Sequence, residues 1–147
     1  MSNKITAEHL ARSAVVYVRQ STMTQVLGNT ESQRRQYSLA DQARAVGFAT
    51  VEVIDEDLGR SGSGVMERPG FQKLVASVCA GSVRAVFCIE ASRLARNGRD
   101  WHHLIDLCAL AATLVIDPDG IYDPRLVNDR LLLGLKGTMS EYELSLL

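Results

Sequence analysis

Four short apolar runs, each followed by a segment of different periodicity, constrain the fold of this chain more than any other feature. The runs are rich in β-branched and aromatic residues and contain almost no charge, which is typical of buried strands in a parallel sheet. Short strands that alternate with helices predict a parallel, three-layer α/β domain. The predicted strands cover residues 14–18, 48–54, 83–89 and 114–116.

Helix start and stop signals bound the segments between these strands. Ser32 and Asp100 are typical N-cap residues, Pro69 suits a first helical turn, and Gly47 and Gly81 suit positions just after a last turn. From residue 127 the helical pattern continues to the end of the sequence. The predicted helices cover 6–11 (capped by Thr6), 32–46, 69–81, 100–108 and 127–147, and residues 121–122 are predicted to add an edge strand.

The composition suits one globular domain. The chain has 147 residues, of which 46% are hydrophobic and 22% charged, so it can bury a core. No apolar run approaches the ~18 residues that a membrane span needs, and residues 1–12 are too polar for a secretory signal. Three cysteines in apolar runs predict buried, reduced thiols and a cytoplasmic protein. Cysteines and histidines lack metal-ligand spacing, so we expect no metal.

The net charge of the chain does not indicate a phosphate ligand, but the excess of arginine over lysine does. The formal net charge is −1, with 13 Arg against 3 Lys. Near-neutral charge argues against a free-standing DNA-binding protein. Arginine, however, is preferred where a phosphate must be held by two donors in fixed geometry.

The first predicted strand ends in Tyr17-Val18-Arg19-Gln20-Ser21. Arg19 and Ser21 are two residues apart, so they point to the same side of an extended chain. Carboxyl ends of strands are where open α/β sheets hold ligands, and an arginine beside a serine suits phosphate binding and hydroxyl activation. Taken alone, the same residues also fit an ordinary strand end with a solvated arginine and a turn serine.

Three further polar clusters follow in the sequence. Residues 31–36 open a predicted helix, residues 59–69 form a glycine-rich loop that leads to Arg68, and residues 90–97 contain Arg93 and Arg96. Each alone also fits a solvated cap, a flexible loop or a basic turn. The segments after the first three strands all contain arginine, however, and such strand ends converge in this fold class. Arginines around one serine, without a histidine or cysteine partner, favour phosphoryl transfer over acyl transfer.

The motifs in this order resemble the catalytic domain of the serine recombinase (resolvase/invertase) family, and most closely its large members from mobile elements. They are Y-x-R-x-S at 17–21, a glutamine near a helix start, an acidic loop with Ser-Gly and a later arginine, and S-R-L-x-R at 92–96. The resemblance extends from about Val15 to the last residue. Residues 134–144 resemble the start of the long interface helix of that family.

This resemblance implies a function and a set of site residues. Ser21 matches the nucleophile that cleaves and rejoins DNA through a 5′-phosphoserine intermediate and leaves a free 3′-hydroxyl, without metal or other cofactor. The implied catalytic residues are Ser21, Arg19, Arg68, Arg93 and Arg96, and the implied supporting or DNA-phosphate residues are Gln36, Ser61, Ser92 and Glu143.

The resemblance also implies a domain division and partners. Residues 1–126 would form the resolvase-like catalytic core, and residues 127–147 would begin a long oligomerisation helix that is truncated here. We expect self-association to a dimer or tetramer through that helix. Double-stranded DNA would be bound tightly only with a DNA-binding region beyond residue 147, and no membrane partner is expected.

Two departures from the family pattern keep alternatives open. Ser92 stands where many members have aspartate, and Leu144 stands where many have arginine. One alternative is a catalytically silent regulatory or assembly domain of the same fold. The other is a flavodoxin-like module that binds a small-molecule phosphate ester, and it predicts no covalent DNA adduct.

Overall fold

The computed structural model describes most of the chain in one α/β arrangement. The described residues are 4–18, 30–55, 69–89, 91, 94 and 98–146, and for 30–33, 69 and 138–146 only the backbone is described. In chain order the elements are α1 (Ala7–Leu10), β1 (Ser13–Tyr17), α2 (Thr30–Val46), β2 (Thr50–Ile54), α3 (Pro69–Cys79), β3 (Val83–Phe87), α4 (Gly98–Ala111), β4 (Leu114–Asp117), β5 (Gly120–Tyr122) and α5 (Val127–Leu146).

The strands form one sheet in the order β2-β1-β3-β4-β5. Pairs β1–β2, β1–β3 and β3–β4 are parallel, and β5 pairs antiparallel with β4 at the edge. Val16, in the middle of the sheet, has Val53 as its register partner on one side and Phe87 on the other. The predicted α/β fold with a parallel sheet is confirmed.

Side chains alternate between two cores because successive residues of a strand face opposite sides of the sheet. Val15 and Tyr17 pack into the core beneath α3, α4 and α5, whereas Ala14, Val16 and Val18 pack into the core beneath α2. Both faces are therefore covered by helices, which gives the three layers that the sequence predicts.

Two predicted helix starts are wrong by three residues. Helix α2 begins at Thr30 rather than after Ser32, and α4 begins at Gly98 rather than after Asp100. In each helix the additional residues precede the apolar face. They show no hydrophobic periodicity, so the sequence does not indicate that they are helical. Asp100 therefore lies in the first turn, where a carboxylate interacts favourably with the helix dipole. The predicted stop at Gly47 is confirmed, since Gly47 has a φ of 125° and its N–H donates to the carbonyls of Ala43 and Arg44.

The cysteine prediction holds for two of the three thiols. Cys88 and Cys108 are buried, but Cys79 is exposed. Cys79 is the last residue of α3, and its place in an apolar run did not reveal that this position faces solvent. Burial, with a smaller contribution from Cys79, raises the pKa of Cys108 to about 12.

Helix α5 leaves apolar side chains exposed. Leu133 is fully buried, but its neighbours along the helix are not. We call the exposed set on α5 and immediately before it the α5 patch, and it consists of Leu126, Val127, Leu131, Leu132 and Leu135. Among the described residues no helix has both the length and the hydropathy needed to cross a membrane.

Candidate active site

The carboxyl edge of the sheet is the end at which the parallel strands finish. We define this edge by the described residues at the ends of the parallel strands: Val18, Asp55, Cys88 and Asp117. The order β2-β1-β3-β4 reverses direction between β1 and β3, because the chain builds outward from β1 on both sides. In open α/β sheets such a switch point opens a crevice between the strand ends, where ligands bind.

Most of the predicted site residues follow these strand ends in the sequence but lie outside the described residues. Seven of the nine predicted positions fall in this group, and Glu143 lies in α5 with only its backbone described. The seven are Arg19, Ser21, Ser61, Arg68, Ser92, Arg93 and Arg96. Their roles remain predictions.

Gln36 is the predicted site residue whose side chain is described. It is buried, with 5% of its surface exposed. It is the seventh residue of α2 rather than part of the first turn, because the helix begins at Thr30. The neighbouring Arg34 and Arg35 are exposed, so this end of α2 presents guanidinium groups to solvent.

Tyr37 connects α2 to the end of β2. Its hydroxyl donates to Asp55 Oδ2 at 2.7 Å. Partial burial and this hydrogen bond to a carboxylate raise the pKa of Tyr37 to about 12. Asp55 is the last described residue before the segment of the sequence that contains Ser61. The contact therefore holds the carboxyl end of β2 against α2.

Asp117 is a functional candidate that the sequence alone does not reveal, because Asp117-Pro118-Asp119-Gly120 has the composition of an ordinary turn. One carboxylate oxygen, Oδ1, accepts from the backbone N–H of Asp119 at 2.9 Å and of Gly120 at 3.2 Å. The other, Oδ2, accepts from the backbone N–H of Ala91 at 3.1 Å. Both the turn after β4 and the segment after β3 are thus bonded to one buried carboxylate.

Lys136 brings α5 to the same carboxylate. Its Nζ lies 3.5 Å from Asp117 Oδ2 and 3.0 Å from Asp119 Oδ2, and 5.6 Å from the centre of the Tyr122 ring. Burial disfavours the ammonium, but the hydrogen bond to Asp119 and the charge of Asp117 outweigh it and raise the pKa of Lys136. Lys136 stays charged across the physiological range and joins α5 to the carboxyl edge.

A cavity of about 260 Å³ lies beside this edge, between α2 and the ends of β3 and β4. Its floor is apolar, and Arg35, Ser38 and Gln42 line it from α2. Asp117 also lines the cavity, so a guanidinium, a hydroxyl, an amide and a carboxylate surround an otherwise apolar space, which suits a polar ligand. Among the described residues, no group of three or more His, Cys, Asp or Glu side chains could hold a metal ion.

Comparison of the chain with models of protein families identifies the family to which it belongs. The family model described as "Resolvase, N terminal domain" matches residues 14–147. The chain belongs to the resolvase family. The resemblance to serine recombinases that the motifs suggested is confirmed, as is the resolvase-like fold.

Two individual comparisons agree with the resolvase fold. The N-terminal catalytic domain of TP901-1 integrase is 25% identical, with a TM-score of 0.61 over 92% of this chain and 98% of that one. A resolvase family site-specific recombinase from Streptococcus pneumoniae is 22% identical, with a TM-score of 0.64 over 91% of this chain and 89% of that one. The second likeness is one of fold alone.

A curated relative extends the comparison beyond solved structures. The uncharacterized protein y4bA/y4pH of Sinorhizobium fredii is 56% identical over 146 residues. This match includes 98% of the chain but 21% of the relative, so the chain spans about a fifth of that relative's length.

Proposed function

We propose that this chain is the catalytic domain of a site-specific DNA recombinase in which Ser21 cleaves and rejoins DNA strands. The observation that carries the proposal is the adjacency of β1 and β3, with Val16 as the register partner of Phe87. In the sequence, Ser21 follows Val16 by five residues and Arg93 follows Phe87 by six. The serine and the arginine pair are thus tethered to neighbouring strand ends at the switch point of the sheet.

The proposed chemistry is a phosphoryl transfer with balanced bonds. Ser21 Oγ loses its proton and forms a bond to the phosphorus of a DNA phosphodiester. The bond from phosphorus to the 3′ oxygen breaks, and that oxygen takes up a proton to become a free hydroxyl. The 5′ end stays linked to Ser21 as a phosphodiester, so the reverse attack can rejoin a strand without an external energy source.

Arginines would stabilise the transition state of this step. Negative charge accumulates on the non-bridging phosphate oxygens, and planar guanidinium groups match those oxygens with paired donors. The residues assigned to this role are Arg19, Arg68, Arg93 and Arg96, with Gln36, Ser61, Ser92 and Glu143 in support. Family membership and the likeness to the TP901-1 integrase domain support this assignment.

The proposed partners are duplex DNA and further copies of the chain. Five apolar side chains on and next to the start of α5 are between 47% and 75% exposed. Contiguous exposed apolar surface of this kind marks protein interfaces. We therefore assign self-association to the α5 patch. Tight DNA binding is assigned to sequence beyond residue 147, because a net charge of −1 gives this chain little capacity to release counterions.

The proposal is tested by fusing the chain to a DNA-binding module of known target. The fusion is incubated with a duplex that is nicked near the crossover point, so that the cleaved strand diffuses away and any covalent intermediate is trapped. A denaturant-resistant protein–DNA adduct that is lost in Ser21→Ala is the expected result. An adduct that persists in Ser21→Ala would mean that another residue is the nucleophile.

A Ser92→Asp variant distinguishes the active domain from a silent one. If the unmodified fusion forms no adduct and Ser92→Asp does, the chain is a regulatory subunit whose chemistry was lost at position 92. If neither forms an adduct, the recombinase proposal is wrong for this chain.

A further inference from the structure

The two described residues nearest to Arg93 in the sequence lie in the core of the domain. Ala91 and Leu94 flank Ser92-Arg93 and are both buried in the core beneath α4 and α5. The N–H of Leu94 donates to the carbonyl of Ala91 at 3.1 Å. The position of Leu94 therefore depends on what holds Ala91.

Ala91 is held by a charged acceptor from another strand. Its N–H donates to Asp117 Oδ2, 26 residues away in the sequence. A backbone N–H bonded to a carboxylate makes a stronger contact than one bonded to a carbonyl. The N–H of Cys88, directly after β3, donates to the carbonyl of Ile116 in β4 at 3.0 Å. The bond between Ala91 and Asp117 therefore continues the hydrogen bonding between β3 and β4 beyond the end of β3.

The carboxylate itself is fixed from two directions. The turn N–H groups of Asp119 and Gly120 hold Oδ1, and the ammonium of Lys136 faces Oδ2. The side chain of Asp117 is 1% exposed. Lys136 lies one helical turn after Leu132 of the α5 patch, so one helix contains both the cation that faces Asp117 and the apolar surface assigned to subunit contacts.

We propose that Asp117 is a positioning residue for the arginines after β3, and that Lys136 couples this positioning to α5. The inference rests on the proposed function, because it assigns Arg93 and Arg96 to the reacting phosphate. Asp117 acts through the Ala91 N–H and does not touch DNA. A displacement of α5 that draws Lys136 away weakens the hold on the carboxylate and, through it, on Ala91.

A purely structural role for Asp117 predicts a different outcome. In that case its loss lowers the folded fraction, while every folded molecule cleaves at the normal rate. A positioning role predicts a lower rate constant in molecules that are fully folded, since misplacement of a catalytic group by about 1 Å costs on the order of 100-fold in rate. Single-turnover kinetics separate the two, because amplitude reports the active fraction and the rate constant reports the chemistry.

The test compares Asp117→Asn with Asp123→Asn in the full chain, carried in the fusion described above. Asp123 is a matched control: it is also buried and also accepts from a backbone N–H, that of Arg125 at 3.0 Å, but it does not contact Ala91. Lys136→Met is compared with Lys73→Met, which removes an ion pair to Glu52 away from the carboxyl edge.

We expect Asp117→Asn to lower the single-turnover cleavage rate constant by about 10- to 100-fold, with DNA affinity unchanged. Lys136→Met should lower it in the same direction by a smaller factor, and Asp123→Asn and Lys73→Met should leave it within about twofold. Equal rate constants for Asp117→Asn and Asp123→Asn would overturn the inference. A loss of amplitude alone in Asp117→Asn would overturn it as well.

A second measurement does not depend on recombinase activity. Hydrogen exchange of the Ala91 amide in the full chain should accelerate in Asp117→Asn and in Lys136→Met relative to Asp123→Asn and Lys73→Met. If the Ala91 amide exchanges equally slowly in all four variants, the inference fails even where the recombinase proposal holds. If exchange responds as expected and no adduct forms in any fusion, the proposed function fails while the Asp117–Ala91 linkage stands.

Discussion

The indole ring of Trp101 occupies the space that a side chain at position 137 would need. A Cβ built on Gly137 would lie closer than 3.0 Å to both Cδ1 and Nε1 of Trp101. The same indole N–H donates to the carbonyl of Leu133 at 2.9 Å. Helices α4 and α5 therefore pack closely at this point, because the absence of a side chain at Gly137 leaves space for the Trp101 ring.

Replacement of Gly137 by alanine should destabilise the domain. The added methyl group collides with a 2%-exposed indole, and overpacking of this kind costs about 1–3 kcal/mol. Gly134→Ala in the same helix is the control, since nothing lies within 4 Å of its built Cβ and alanine is favoured over glycine in a helix by about 1 kcal/mol. In urea unfolding, the free energy of unfolding should be lower for Gly137→Ala and higher for Gly134→Ala than for the unmodified chain. A neutral Gly137→Ala would contradict the described α4–α5 packing.

Tyr37 should make the stability of the domain fall at alkaline pH. Its pKa is raised to about 12 by burial and by Asp55, from an unfolded value near 10. A group whose pKa is raised on folding contributes stability that is complete below the unfolded pKa and is lost as pH rises through the folded one. The free energy of unfolding should therefore drop between about pH 10 and pH 12. This drop should be smaller in Tyr37→Phe; equal slopes for the two proteins would show that the Tyr37–Asp55 contact does not form.

Thiol reactivity should distinguish Cys79 from the other two cysteines. The thiolate is the reactive species, and burial raises the pKa of Cys108 to about 12, whereas Cys79 is exposed. Alkylation of the native protein at pH 8, followed by peptide mass spectrometry, should label Cys79 first. Cys79→Ser should abolish this rapid phase. Labelling of Cys108 at the rate of Cys79 would contradict the described burial.

The α5 patch should control self-association without controlling folding. Leu131 is 67% exposed, so Leu131→Glu should weaken self-association in analytical ultracentrifugation and leave thermal stability nearly unchanged. Leu110→Glu places the same charge on α4, where Leu110 is 86% exposed, and should leave self-association unaltered. If both variants associate as strongly as the unmodified chain, the α5 patch is not the subunit contact.

Local sequence patterns predicted the elements of this fold better than the contacts between them. The apolar runs predicted β1 to β4. Leu39 and Ala43, which lie one helical turn apart in α2, are both buried, because burial repeats with the period of each element. The order of the strands was not predicted, since it depends on pairings between distant segments.

In the candidate site, too, the sequence did not predict contacts between residues that are distant in the chain. The motifs pointed to the carboxyl edge, but the role of Asp117 depends on Ala91 and Lys136, which lie 26 residues before it and 19 after it. No local sequence pattern indicates that these residues contact one another. The fit of Trp101 against Gly137 is another contact between helices, and in the sequence Gly137 was only one glycine within a helical pattern.

The most direct test of the central claim is to locate the covalent bond in the trapped adduct. Trypsin cleaves after Arg19 and Arg34, so Ser21 lies in the peptide of residues 20–34. After nuclease digestion of the DNA, fragment-ion mass spectrometry of this peptide should place a 5′-linked nucleotide on Ser21. A nucleotide on any other residue, or an adduct that leaves this peptide unmodified, would contradict the assignment of Ser21 as the nucleophile.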